Sequence, residues 1–299
     1  MILVYCFIGK LPEYAVDTIY QTRLFYDGSI YFIVDDMESD YIIELKEKYN
    51  VTIINYTDVV DINFIHCVSN NLPRFPIVNG LQGREKLFIY SFERFFVLYQ
   101  LMDKFNLTNV FFLELDNLIY NDPNTWEEQF NNTDMSYMYD NNDRCASGIC
   151  YIKNKDLLNK FNEYCKHYIN TTSKFMTEMT ALYEFWELNK ENIQILPTHW
   201  PSNNVPLETY MNYYRYNDTI FDSAGLGIYL GGMDPYHTKG VITKGLKSIW
   251  SAIDYTPYQY DWKIDEKGRK IPYILYNNKW IRINNLHIHS KDLQSCFSI

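Results

Sequence analysis

Glu114 and Asp116 stand two residues apart at the end of an apolar run, Phe111-Phe112-Leu113-Glu114-Leu115-Asp116-Asn117, ahead of a turn marked by Asn121-Asp122-Pro123. In a strand, residues two apart share a face, so both carboxylates point the same way. Two hard oxygen ligands on one edge suit a divalent cation such as Mn²⁺ or Mg²⁺ and leave positions for the oxygens of a diphosphate. The alternative is an acidic strand end that solvates the turn. Near the other end, Ile283-Asn284-Asn285-Leu286-His287-Ile288-His289-Ser290-Lys291 alternates so that Leu286 and Ile288 face one way, His287 and His289 the other. An imidazole on the cleft side would complete a metal site, and Lys291 would meet a phosphate as a point charge. The competing reading is a pair of surface histidines on an edge strand. The apolar phase changes at Asn284-Asn285, which predicts a bulge that re-aims the histidines.

Further residues stand out by context. Glu178 shares a helical face with Ala181, Leu182 and Phe185; a carboxylate on such a face has either a partner or a raised pKa, as a general base does. Asp222 heads the small-residue run Ser223 to Gly227, where it either caps a helix or points into a cleft as a rival base. Arg94, inside the apolar stretch Phe92 to Leu98, is either an ion-pair partner or a contact for a diphosphate. Gly148 lies at a strand entry, where a missing side chain permits close approach to the backbone.

The elements that position these groups follow from hydrophobic periodicity. Strands are expected at Ile2–Ile8, Ile30–Val34, Val51–Asn55, Val110–Leu113 and Gly148–Ile152, and strand-rich chain at Ile271–Tyr276 and Trp280–His289. Helices are expected after Pro12, at Ser39–Lys48, Arg84–Phe105, Asp156–Tyr168 and Ser173–Leu188, and from Asp222. Alternating strands and helices predict a mainly parallel sheet with helices on both faces and ligands at the carboxyl ends of the strands. Asp35 and Asp36 follow the second strand at such an end.

Composition narrows the function classes. A chain of 299 residues with no internal repeat or linker is expected to form one domain, with residues 1–120 and 121–299 as its two halves. The net charge of −10, with no basic run, argues against a nucleic-acid partner. There is no 18-residue apolar stretch, and Met1 to Gly9 carries neither a basic leader nor a cleavage site, so a soluble cytoplasmic protein is expected. The six cysteines are scattered without ligand spacing, which makes reduced thiols the default. The many Tyr and Phe residues fit a sugar-stacking cleft and AT-rich codons alike.

Taken together, the motifs and their order resemble the nucleotide-sugar glycosyltransferases of the GT-A fold, across most of the chain. Phe112 to Tyr120, Phe221 to Gly232 and Asn285 to Lys291 look like a little-characterised group of that superfamily found in microbes and large DNA viruses. The resemblance implies a GT-A-like α/β domain with a mixed acceptor-side lobe. Its activity would be metal-dependent transfer of a sugar from a nucleoside-diphosphate sugar to a glycan hydroxyl, with inversion. Asp116, helped by Glu114 and His289, would hold Mn²⁺ or Mg²⁺; Glu114 stands where the superfamily usually has Asp. Lys291 and Arg94 would contact the donor diphosphate, Gly148 would let the donor or acceptor approach, and Asp35 or Asp36 would face the nucleoside. Glu178, or else Asp222, would be the base, and aromatics between Trp200 and Tyr216 would line the acceptor side. A non-catalytic carbohydrate-binding protein of the same fold is the alternative. A nucleotidyltransferase is disfavoured, because Gly9-Lys10-Leu11-Pro12 is too poor in glycine for a phosphate loop.

Overall fold

The computed structural model describes residues 1–75, 86–174, 176–232 and 253–299. Its frame is a seven-stranded sheet in the order β3-β2-β1-β4-β7-β6-β8. The strands are β1 (Ile2–Phe7), β2 (Ile30–Val34), β3 (Val51–Asn55), β4 (Val110–Leu113), β6 (Met135–Asn141), β7 (Arg144–Ile152) and β8 (Ile193–Leu196). Only β7 runs against its neighbours; β1 to β4 are mutually parallel where they pair, and β6 is parallel to β8. The expected mainly parallel α/β sheet is therefore present.

Alternation along the strands builds a core on each face. Leu3, Tyr5, Phe32, Val34, Phe111 and Leu113 point to one side, where α1 (Tyr14–Arg23), α2 (Tyr41–Glu47) and the C-terminal elements cover them. Val4, Ile33, Val110 and Phe112 point to the other, under α3 (Ile62–Asn71), α4 (Leu87–Phe105), α5 (Lys155–Thr171) and α6 (Glu178–Leu188). Strands buried on both faces must be apolar throughout, which is why β2 and β4 coincide with their expected bounds; the edge strand β3, with Thr52 exposed, matches its bounds as well. The expected start of α4 at Arg84 lies outside the described residues. Helix α6 begins at Glu178 rather than Ser173, because Thr177 is its N-cap and accepts the amide of Thr180 at 3.2 Å.

Two small sheets complete the fold. Strand β5 (Asn117–Ile119) pairs antiparallel with β12 (Asn285–His287), setting His287 opposite Asn117. Strands β9 (Gln259–Ile264), β10 (Lys270–Tyr276) and β11 (Lys279–Arg282) form an antiparallel meander. The expected bulge at Asn284-Asn285 is instead a change of partner: β11 ends against β10, and the chain crosses to pair with β5. A short helix, α7 (Gly225–Gly231), packs on β12. Trp200, Tyr213 and Tyr216 are buried in the core, with Trp200 stacked on Tyr276 at 4.4 Å, so these aromatics do not line an open surface as expected. Tyr214, in contrast, is 74 % exposed.

Candidate active site

Strand β4 delivers its acids at the carboxyl end of the sheet. Beyond Leu113 the chain turns, with the Asn117 amide donating to the Glu114 carbonyl at 3.1 Å, so Glu114 and Asp116 leave one after the other at the sheet edge. The Glu114 amide donates to the Gly148 carbonyl on β7, and the Ile288 amide donates to the Asp116 carbonyl at 2.8 Å. The two acids are thus pinned between β7 and the chain that follows β12.

Glu114, Asp116 and His287 form one cluster whose ligand atoms all lie within 4.8 Å of one another. Nε2 of His287 stands 2.9 Å from Glu114 Oε2 and 3.2 Å from Asp116 Oδ1. The nitrogen brought to the acids is therefore that of His287; the expected ligand His289 packs its half-buried ring edge-on to His287, centroids 4.5 Å apart. Two carboxylates and one imidazole form an oxygen-rich donor set that fits Mn²⁺ or Mg²⁺.

Two cations flank the acids. Lys291 Nζ pairs with Asp116 Oδ2, and Arg94 Nη1 pairs with Glu114 Oε1. Burial works against ionising Asp116, but Lys291 and His287 outweigh it and hold the carboxyl well below the ordinary range. Lys291 reaches Asp116 from a left-handed backbone position, φ 66°, at the end of the turn that follows β12. Arg94, on α4, also donates through Nη2 to Ser147 Oγ at 2.8 Å and to Glu178 Oε1 at 3.1 Å. Of the two readings for Arg94, the geometry gives the ion pair, bridging a cluster acid to Glu178.

The remaining expected residues divide. Glu178 is buried at the first turn of α6 and has Arg94 as its partner. Asp222 is fully buried and accepts four backbone amides: Ala224 (2.9 Å) and Leu226 (2.9 Å) on Oδ1, Gly227 (2.7 Å) and His287 (2.9 Å) on Oδ2. The helix starts at Gly225 with Ala224 as its N-cap, so Asp222 is not the cap residue expected; from three residues ahead of α7 its carboxylate accepts that helix's first amides and latches them to β12. Gly148 faces the cluster and not an opening: a Cβ there would lie 2.7 Å from Asn117 Nδ2 and 2.9 Å from His287 Nδ1. Asp35 and Asp36 accept the amides of Gly9 (3.2 Å) and Leu11 (3.1 Å), closing the loop between β1 and α1 at the same end of the sheet.

Several polar residues here escaped the sequence reading. Asn117 and Asn285 sit fully buried beside the cluster, joined by an Asn285 Nδ2 to Asn117 Oδ1 bond of 2.8 Å. Each is the first residue of a three-residue strand, Asn-Leu-Ile and Asn-Leu-His, too short for periodicity to mark. Asp140, at the carboxyl end of β6, is buried with Arg144 at 2.5 Å, and burial pushes its carboxyl up to about 7 against the pull of that arginine.

No protein-family model matches the chain, and no curated protein does. Among solved structures it is similar to mouse xyloside xylosyltransferase 1 in its apo form, with 11 % identity over 66 % of this chain and 84 % of that one and a TM-score of 0.46. It is also similar to the galactosyltransferase LgtC solved with donor and acceptor sugar analogs, at 12 % identity over 66 % and 73 % of the two chains, TM-score 0.44. A third is a glycosyltransferase involved in glycosylating the major capsid of PBCV-1, at 14 % identity over 73 % and 90 %, TM-score 0.39.

Proposed function

We propose that the chain is a GT-A-type, metal-dependent glycosyltransferase that moves a sugar from a nucleoside-diphosphate sugar to a glycan hydroxyl with inversion. The observation that carries this reading is the convergence of Glu114, Asp116 and His287 at the carboxyl end of β4, flanked by the charges of Lys291 and Arg94. Asp116 and Glu114, with His287 Nε2, would hold Mn²⁺ or Mg²⁺. When bound, that ion supplies Lewis-acid neutralisation of the departing diphosphate. Lys291, paired with Asp116, adds its positive charge to the same diphosphate, and Asp35 or Asp36 faces the nucleoside from the end of β2. Arg94 keeps Glu114 and Glu178 in register.

In the transfer step the acceptor oxygen attacks the anomeric carbon from the face opposite the leaving group. The bond from that carbon to the diphosphate oxygen breaks, the acceptor proton passes to Glu178, and the nucleoside diphosphate departs. Proton transfer to a positioned base contributes about 10²–10⁴-fold. Six free cysteines support a reducing compartment, and we place the activity in the cytoplasm. No helix among the described residues is long and apolar enough to cross a membrane.

The deciding experiment is a screen of UDP-, GDP- and dTDP-sugars for Mn²⁺-dependent hydrolysis and for calorimetric binding with and without the metal. Turnover that vanishes in Asp116→Ala supports the reading. Binding of glycans with no metal-linked affinity for any nucleotide sugar would make the protein a carbohydrate-binding module instead.

A further inference from the structure

Next to the cluster lies a chain of hydrogen bonds that starts at a backbone group and ends at an imidazole. Asn285 Oδ1 accepts the Asp222 amide at 3.0 Å, and its Nδ2 donates to the Asp222 carbonyl at 3.0 Å. A peptide group cannot exchange donor for acceptor, so the Asn285 side chain has one orientation. Its Nδ2 also donates to Asn117 Oδ1 at 2.8 Å, which fixes Asn117 in turn. Asn117 is left with its NH₂ on the Gly148 side, where His287, the residue paired with it across β5 and β12, also places Nδ1. Asn117 Nδ2 and His287 Nδ1 are both buried without a hydrogen-bond partner among the described residues, and both border the space left by the absent side chain of Gly148.

A ring nitrogen buried without an acceptor is favoured as the lone-pair nitrogen, because a proton there would be left unpaired, and this puts the imidazole proton on the other one. That other nitrogen, Nε2, has two carboxylate acceptors within 3.2 Å. Histidines that ligate metals ordinarily donate their second N–H to an acceptor. Here the second nitrogen has no acceptor among the described residues and shares the space beside Gly148 with an amide NH₂, so the tautomer able to ligate through Nε2 is the disfavoured one.

We propose that Asn117 and Asn285 are positioning residues that keep His287 in its Nε2–H form and so hold the cation affinity of the free protein low, reserving tight retention for the moment a diphosphate adds its own oxygens. The inference rests on the cation site proposed above. It makes Asn117 and Asn285 determinants of binding order, with nucleotide sugar and cation entering together.

The test uses the full chain, nitrogen-labelled and metal-free, at alkaline pH where imidazoles are neutral. Nitrogen NMR of His287 should show a lone-pair signal at Nδ1 and a proton-bearing Nε2; a proton-bearing Nδ1 overturns the inference. Asn117→Asp places an acceptor at Nδ1, so the tautomer should invert and Mn²⁺ affinity without nucleotide, read by calorimetry, should rise about 10-fold or more. Unchanged affinity, or a rise with no inversion, overturns it, and if that variant does not fold the wild-type spectrum decides alone. Failure of either protein to bind Mn²⁺ even with a nucleoside diphosphate present overturns the cation site itself, a result distinct from the tautomer reading.

Discussion

Asp222 and Glu178 are both buried carboxylates, yet opposite kinds of partner hold them. Four amides surround Asp222 and a single guanidinium touches Glu178. Charge-assisted bonds to amides are worth about 1.5–3 kcal/mol each, whereas an acid with a single partner keeps a lone pair for chemistry. Asp222→Asn should therefore lower stability by about 3 kcal/mol or more in denaturant melts. Glu178→Gln should leave nucleotide-sugar affinity in place and cut kcat about 100-fold. A second residue-scale prediction concerns pH. Asp140 is raised to about 7, so folding keeps a proton there that the unfolded chain loses above about 4, and its contribution declines as pH rises from about 4 to 7. His199, buried and lowered to about 4, acts in the opposite sense, since below about 6.5 the unfolded chain takes up a proton that the folded one refuses. The two slopes oppose each other in the wild type. Relative to the wild type, Asp140→Asn should fall in stability more steeply toward acid, by about 1 kcal/mol per pH unit between about 7 and 4, read from melts across that range.

At the scale of elements, α7 and β12 behave as one part. A Cβ on Gly227 would lie 2.1 Å from the His287 carbonyl oxygen, so the helix touches the strand backbone directly. Gly227→Ala should cost about 1–3 kcal/mol by overpacking and displace His287 from the acids, which thermal melts and Mn²⁺ titration would detect together. Elements with apolar runs were legible: the unbroken runs Ile30–Val34 and Val110–Leu113, and the β-branched run Val51–Ile54 that ends at Asn55, match their strands residue for residue. Strand β6 was not, because Met-Ser-Tyr-Met-Tyr-Asp-Asn buries polar Ser136 and Asp140 among aromatics and shows no apolar run. The acid pair and the His-x-His pair were both visible. Which imidazole meets the acids depends on the register of β12 against β5, and no local periodicity records a register set by a strand far away in the chain.

For the whole molecule, burial separates aromatics that local sequence cannot tell apart. Trp200 and Tyr214 lie in the same Tyr-rich stretch; one is core and the other is 74 % exposed. Trp200→Ala should cost about 3–5 kcal/mol, while Tyr214→Ala should stay within about 0.5 kcal/mol. Equal destabilisation by the two would contradict this packing. The excess of acids in a chain of net charge −10 is likewise unevenly spread, since Glu114, Asp116 and Glu178 share one enclosed corner with Arg94 and Lys291.

The union of β5 with β12 also sets a timetable. Asp116 and Lys291 are 175 positions apart, and Asn117 and Asn285 168. Closing a loop of that length is an entropic toll met late and slowly in folding. During refolding, the sheet around β1, β2 and β4 can form while the acids still lack their imidazole and ammonium. Cation binding should therefore be the last property to return, lagging behind the recovery of secondary structure, and a chain stalled before that closure would carry an unneutralised pair of carboxylates at the edge of its core.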